Sequence, residues 1–287
     1  MITLMADSTC DLSDEVLAEH DIKTAALSIH IGDKEYQDRI DIQPDEFYEM
    51  MGSLEEFPTT GMPSPATFIS IFEGAIAKGS KEILCICMSS GTSGSYQSAA
   101  LAKRQFEEDN PESDVQIHIA DSRCMSHGSG WLLIKCARMR AAGATYDELV
   151  TFVEENKTKV KHYLSVDDLN HLIKSGRISN AGAFIGKMLM LKPVMSMKDG
   201  KGAIVAKERG QKRVLKHYVE QFVARQNPEM TDFIIIGYTS EKLVAETLHA
   251  KILKETDFKG DIYVMQMGVS VGTHVGPGAI SMFFMEK

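Results

Sequence analysis

No apolar run in this sequence approaches the roughly 18 residues of a membrane span, and the first stretch, Ile2-Thr3-Leu4-Met5-Ala6, has no basic segment ahead of it. A basic excess is also missing. With 31 lysines and arginines against 40 aspartates and glutamates, the net charge is −9 and the pI is near 5.5. Phosphate backbones are bound by basic faces, so nucleic acid is excluded as a partner. The five cysteines form no Cys-x-x-Cys pair, and neither they nor the nine histidines show metal-ligand spacing. These absences predict buried thiols, no metal, no cofactor, no stable membrane insertion and a cytoplasmic location. Two nucleotide signatures are absent as well: no Gly-rich loop ends in Gly-Lys-Ser/Thr, and no Gly-x-Gly-x-x-Gly follows the first strand.

What is present is 287 residues, 44% apolar and 25% charged, enough for two domains each with its own core. Methionine is abundant at 17 residues, among them Met188, Met190, Met195, Met197, Met265, Met267, Met282 and Met285. Thioethers fill irregular cores and also line adaptable apolar pockets, and core filling is the better reading.

Apolar runs at Ile2 to Ala6, Ile83 to Met88 and Val115 to Ala120 read as buried strands. Each ends in a polar turn: Asp7-Ser8-Thr9-Cys10-Asp11, Ser89-Ser90-Gly91-Thr92-Ser93-Gly94-Ser95 and Asp121-Ser122-Arg123-Cys124. Such turns share the carboxyl edge of a parallel sheet, where ligands bind. A strand is also predicted over Thr24 to Ile31. Pro44 opens a helix through Met51, and Pro58 to Pro65, with three prolines, reads as an ordered loop without regular structure. Ser64 caps the helix carrying Phe68, Ile71, Phe72, Ala75 and Ile76, and Thr145-x-x-Glu148 is a capping box.

The character changes near residue 158. A strand at His162 to Val166, the exposed turn Ser175-Gly176-Arg177-Ile178-Ser179 and a hairpin turning at Asp199-Gly200 lead to the helix Gln211 to Arg225, a strand, a helix capped by Ser240 and the strand Asp261 to Met267. Val269 to Ala279 reads as a Gly-rich loop that closes a site. The predicted fold class is α/β in two domains. Residues 1–157 form a three-layer α/β/α unit with a mainly parallel sheet, and residues 158–287 form a two-layer α/β unit with a mixed sheet. The last residues are candidates to pack back on the first unit.

The serine loop resembles a nucleophile elbow, but Ser95 stands where that motif requires glycine. What remains is a set of neutral donors, Thr59, Thr60, Ser90, Thr92 and Ser93, on two loops that precede helices, with His274 and Arg177 as candidate cations. Hydroxyls and backbone N–H groups at a helix N-terminus suit an anion such as a carboxylate.

Together, Asp7-Ser8-Thr9-Cys10-Asp11, Pro58-Thr59-Thr60-Gly61-Met62-Pro63-Ser64, Ser89 to Ala99, Asp121-Ser122-Arg123, Ser175 to Ser179 and Gly272-Thr273-His274-Val275-Gly276-Pro277-Gly278 resemble the bacterial DegV family over nearly the whole chain. The resemblance implies a protein that encloses one long-chain fatty acid between two domains and is not itself an enzyme. It presents the acid to a separate ATP-binding fatty acid kinase subunit, and the acyl phosphate enters phospholipid synthesis. By position, Thr60 and Ser93 match carboxylate-binding hydroxyls, with the Gly94 backbone beside them. His274, Arg177, Thr59 and Met62 match positions near the head group, and Lys207 and Arg209 fall in a basic segment facing the partner. The chain departs from the family's pattern at Gly61-Met62 and at Ser175. The alternative is an enzyme acting alone, a serine hydrolase or a phosphotransferase of the dihydroxyacetone kinase type.

Overall fold

The computed structural model describes residues 1–178 and 191–287; Ser179, Met188 and Met190, named above, lie outside them. The chain begins with β1 (Ile2–Asp7), a 3-10 turn (Ser8–Cys10), α1 (Asp14–Glu19), β2 (Ile22–Ala25), β3 (Ser28–Ile31), β4 (Lys34–Gln37), α2 (Pro44–Met51), β5 (Thr59–Gly61) and α3 (Pro65–Ala77). Then come β6 (Glu82–Cys87), α4 (Ser95–Asp109), β7 (Gln116–Asp121), α5 (His127–Ala141) and α6 (Tyr146–Asn156). The remainder is β8 (Val160–Ser165), α7 (Asn170–Ser175), β9 (Leu191–Lys198), β10 (Lys201–Arg209), α8 (Gln211–Arg225), β11 (Phe233–Tyr238), α9 (Lys242–Glu255), β12 (Asp261–Gln266), α10 (Val269–Val275) and β13 (Ile280–Met285). No helix of the described residues is long and apolar enough to cross a membrane.

Four strands in the order β2-β1-β6-β7 pair in parallel. Both faces of that sheet are covered, which is why β1 and β6 are apolar almost throughout. Phe68 and Phe72 of α3 and Phe106 of α4 pack against Met5 and Cys85 on one face. On the other, Trp131, Leu132 and Leu149 pack against Leu4, Leu84 and Ile86. A second sheet, ordered β10-β9-β8-β13-β11-β12, is mixed, with β11 and β12 parallel and its other neighbours antiparallel. Val214, Tyr218 and Phe222 of α8 and Leu248 of α9 cover its outer face. Its inner face meets α5, whose Trp131 stacks on Phe233 with ring centres 4.9 Å apart and donates its indole N–H to the Phe233 carbonyl at 3.2 Å. The fold class is therefore the mixed α/β arrangement expected, with α5 lying between the two sheets.

Local signals hold where they are self-contained. Ser64 accepts the Thr67 N–H at 3.1 Å, the Thr145 and Glu148 capping box is complete, and Asp199 and Gly200 turn the β9–β10 hairpin with φ of 52° and 76°, both in the left-handed region that such a two-residue turn demands.

Four expectations need correction. The strand expected over Thr24 to Ile31 is two strands in different sheets, because the chain turns where the Leu27 N–H donates to the Ser8 hydroxyl at 3.1 Å. The proline-rich loop holds a short strand, β5, since Thr59 to Gly61 keep their N–H groups and pair antiparallel with β3. Val269 to Val275 is a helix and not a loop. Its Gly272 serves close packing, since a Cβ there would sit 2.3 Å from the Tyr48 hydroxyl oxygen. Ser240 does not cap α9; its hydroxyl accepts the Gly278 N–H at 3.0 Å, and Glu241 holds the cap position. The final residues form β13 between β8 and β11, and its Phe283 and Met285 join the core beneath α5 that also holds Leu4 and Leu84.

Candidate functional site

A cavity lies where the carboxyl ends of β1 and β6 face the second sheet. It encloses about 630 Å³ of space, its open side included. Leu27, Met88, Met125, Leu164, Leu172, Met195, Val271 and Val275 make most of the wall apolar, while Thr9, Thr60, Thr92, Ser93, Arg177, Ser270 and His274 supply polar atoms. Met195 thus lines the cavity, whereas Met282 and Met285 fill cores.

The turns after the strands converge as expected, but most of their hydroxyls are engaged internally. The Ser89 hydroxyl donates to the Gly200 carbonyl at 2.7 Å, fastening the serine loop to the β9–β10 turn. Ser90 gives its N–H and its hydroxyl to the Asp121 carboxylate at 3.0 and 2.5 Å, and the Thr92 hydroxyl donates to the Ser89 carbonyl at 3.0 Å. Of the serine-loop hydroxyls proposed as anion donors, Ser93 is the one not tied to that scaffold. It lies 3.0 Å from the Ser95 hydroxyl and accepts the Ser95 N–H at 3.2 Å.

Thr60 and His274 meet directly, with the Thr60 hydroxyl 2.9 Å from His274 Nε2. His274 Nδ1 is buried and has no hydrogen-bond partner in the described structure. Burial, aided by the nearby positive charge of Arg177, holds the imidazole down to about 4, so near neutral pH the ring is uncharged. Arg177 also lines the cavity; its Nε donates to the Thr92 carbonyl at 3.3 Å and its Nη1 to the Ser175 carbonyl.

The other residues singled out from sequence lie off the cavity wall. Thr59 is exposed on β5, one residue from Thr60 and so on the opposite face of the strand. Met62 is 57% exposed and rests on Gly94, the cap residue of α4, where a Cβ would stand 2.3 Å from the Met62 sulfur. Lys207 and Arg209 are exposed on β10, an edge strand of the mixed sheet.

Sequence reading missed how α10 is held against the first sheet's loops. Asp11 accepts the Gly268 N–H at 2.8 Å, Asp38 accepts the Val269 N–H at 3.2 Å, and the Tyr48 hydroxyl donates to the Met267 carbonyl at 3.0 Å. The Ser126 hydroxyl donates to Asp11 and the Ser8 hydroxyl to Asp38. Burial raises both carboxyls, Asp11 to about 7, with Arg39 partly countering it in each case. These buried acids fix the helix that carries His274. Asp11 stands in the Asp/Ser-rich turn after β1, whose sequence signal places it at the sheet edge and does not reveal a clamp, and Asp38, just after β4, stands in no motif.

Residues 1–287 match a family model described as "Uncharacterised protein, DegV family". A DegV domain-containing protein of Clostridium perfringens is 35% identical, over 98% of this chain and 96% of its own. Among solved structures, a stearic-acid-binding protein of Eubacterium ventriosum superposes with a TM-score of 0.90 at 26% identity, covering 100% of this chain and 99% of that one. A DegV family protein of Thermus thermophilus, described for its fatty acid binding, gives 0.89 at 26% identity with the same coverage. Matched along its whole length by both sequence and fold, the chain belongs to the DegV family.

Proposed function

We propose that this protein binds one long-chain fatty acid in the cavity between its units, residues 1–157 and 158–287, and presents the head group to a separate ATP-binding kinase subunit. The observation that carries the reading is the cavity itself, apolar over most of its wall, with Thr60, Ser93 and His274 brought to it from three distant segments. The DegV relatives that bind fatty acids with this fold support the same class of ligand.

Burial of roughly fifteen methylenes at about 0.8 kcal/mol each supplies on the order of 12 kcal/mol before ordering costs. The tail holds the ligand, and the hydroxyls of Thr60 and Ser93 with the Gly94 backbone orient its carboxyl group. In the phosphoryl transfer a carboxylate oxygen attacks the γ-phosphorus of ATP, and ADP leaves. This chain contributes positioning; the partner brings the nucleotide. Arg177 and His274 stand by the head group, and Lys207 and Arg209 on β10 belong to the face that meets the partner.

Denaturing mass spectrometry of an organic extract of the purified protein tests the binding. A stoichiometric fatty acid is expected. A protein that emerges empty, takes up no added fatty acid and instead cleaves esters would overturn the reading. With a competent kinase subunit, acyl phosphate formation on loaded protein falls by about tenfold or more for Ser93→Ala, as loss of a hydrogen bond to a charged group implies.

A further inference from the structure

Asp7 closes β1 directly behind the polar part of the cavity and is 1% exposed. Its carboxyl group makes no ion pair among the described residues, and burial raises it above the ordinary aspartate range. Neutral donors hold it instead: the Thr9 N–H at 3.1 Å, the Thr9 hydroxyl and the Met88 N–H at 2.9 Å. Thr9 lines the cavity, so a single hydroxyl separates this buried carboxyl from the ligand space.

The Thr9 hydroxyl points its proton inward, away from the ligand and toward Asp7. With Asp7 ionised, a fatty acid bound as its carboxylate would set a second anion one hydroxyl from the first, in a place where a buried charge is already costly. Two carboxyl groups so placed resolve the conflict as acid dyads do, by one of them keeping a proton. The His274 imidazole is uncharged near neutral pH and bonds the Thr60 hydroxyl, and Arg177, whose Nε and Nη1 donate to the carbonyls of Thr92 and Ser175, brings one positive charge to a place that would hold two negative ones. The other titratable or charged groups around this corner include the Cys10 and Cys87 thiols, Asp11, Asp38 and Arg39 behind the first turn, Asp121 beyond β6 and His171 beside His274. The two thiols stay protonated, burial pushing Cys10 up to about 12, and the Cys85 hydrogen bond together with burial pushing Cys87 well above its ordinary range.

We infer that Asp7 and the carboxyl group of the bound fatty acid together carry one negative charge, sharing a proton across the hydroxyl of Thr9. The inference rests on the fatty-acid reading above and adds what that reading leaves open, the charge state of the loaded site. No atom is lost in the exchange. The carboxylate arrives from water, one proton is taken from buffer, and the pair holds it until phosphoryl transfer requires the ligand oxygen free.

The test is titration calorimetry of delipidated full-length protein with tetradecanoate at pH 8, in buffers of different ionisation enthalpy. Uptake of about one proton per ligand bound is expected for the wild type. Affinity should weaken by about tenfold per pH unit once the pH exceeds the range in which the pair holds its proton. Asp7→Asn removes the second anion and should abolish the uptake. Binding by the wild type without proton uptake, or undiminished uptake by Asp7→Asn, overturns the inference and leaves fatty-acid binding standing. Wild-type protein that does not bind the acid at all overturns the proposed function instead and the inference with it. If Asp7→Asn does not fold, the carbon-13 carboxyl signal of labelled tetradecanoate bound to the wild type decides the matter: at pH 8 it should lie between the carboxylate and carboxylic acid positions, and a signal at the carboxylate position overturns the inference.

Discussion

Asp11 shows how one buried carboxyl couples stability to the shape of the cavity. Its native-state value of about 7, raised by burial against an ordinary value near 4, means that the folded protein prefers this group protonated. The stability that follows is fully present below about pH 4 and is lost as the pH rises through about 7. Above that, Asp11 is charged beside Asp38, with Arg39 as the partial offset. His127, His162 and His274 act with the opposite sign: burial lowers each, so their share is present above the ordinary histidine range and is lost as the pH falls through about 3 to 4. Comparing a variant with the wild type cancels the histidines. Asp11→Asn keeps an acceptor for the Gly268 N–H and removes the titration. Between pH 5 and pH 8 its urea-unfolding free energy should gain on the wild type by roughly 1–3 kcal/mol. A constant difference across that range would mean that Asp11 is not the group whose charge strains the α10 clamp.

At the level of elements, the serine loop and the β9–β10 hairpin behave as one unit. A Cβ on Gly91 would lie 2.4 Å from the Gly200 carbonyl oxygen, which is backbone held by the Ser89 hydrogen bond and by a turn with no slack. The equally close contact at Gly94 is with the end of the exposed Met62 side chain, which can swing into solvent. Gly91→Ala is therefore expected to cost about 1–3 kcal/mol and to weaken fatty-acid binding by moving Ser93, while Gly94→Ala costs less than about 1 kcal/mol. Urea unfolding and a binding isotherm on both variants check this; equal losses at the two positions would sink the argument. The same contrast between near and remote partners explains what was legible beforehand. The helices opened by Ser64 and Thr145, the hairpin at Asp199-Gly200 and the helix Gln211–Arg225 carry their signals within a few residues. The strand Thr59–Gly61, the helix Val269–Val275 and the strand Ile280–Met285 depend on partners far along the chain, in β3, around Asp11, Asp38 and Tyr48, and in β8 and β11. Thr60, Ser93, His274 and Arg177 were readable as polar residues in distinctive turns. The roles of Thr9 and of the Asp7 carboxylate were not, because no spacing reveals which hydroxyl proton a buried acid will claim.

Over the whole molecule, α5 decides whether the two sheets are separable. Ten of its 15 residues are buried, and among them Trp131, Leu132, Leu133, Ile134, Cys136 and Ala137 share one core with Leu4 and Leu84 of the first sheet and Phe233, Phe283 and Met285 of the second. Removing either sheet would expose a face of this helix to water, at about 25 cal/mol per Å² of apolar surface. The clamp of Asp11 and Asp38 on α10 and the Ser89 bond to the hairpin turn cross between the same two halves. The parallel sheet and the mixed sheet are thus expected to unfold together. The chain's one tryptophan reports on this directly, since Trp131 is wholly buried and stacked on Phe233 where the sheets meet through α5. Denaturation followed by tryptophan fluorescence and by far-ultraviolet circular dichroism should give coincident midpoints. Bound fatty acid should move both by the same amount, because it stabilises only the assembled state. If half of the dichroism signal were lost while Trp131 stayed buried, or the tryptophan became exposed before the secondary structure melted, the two sheets would be folding units in their own right. The cavity between them would then open without global unfolding.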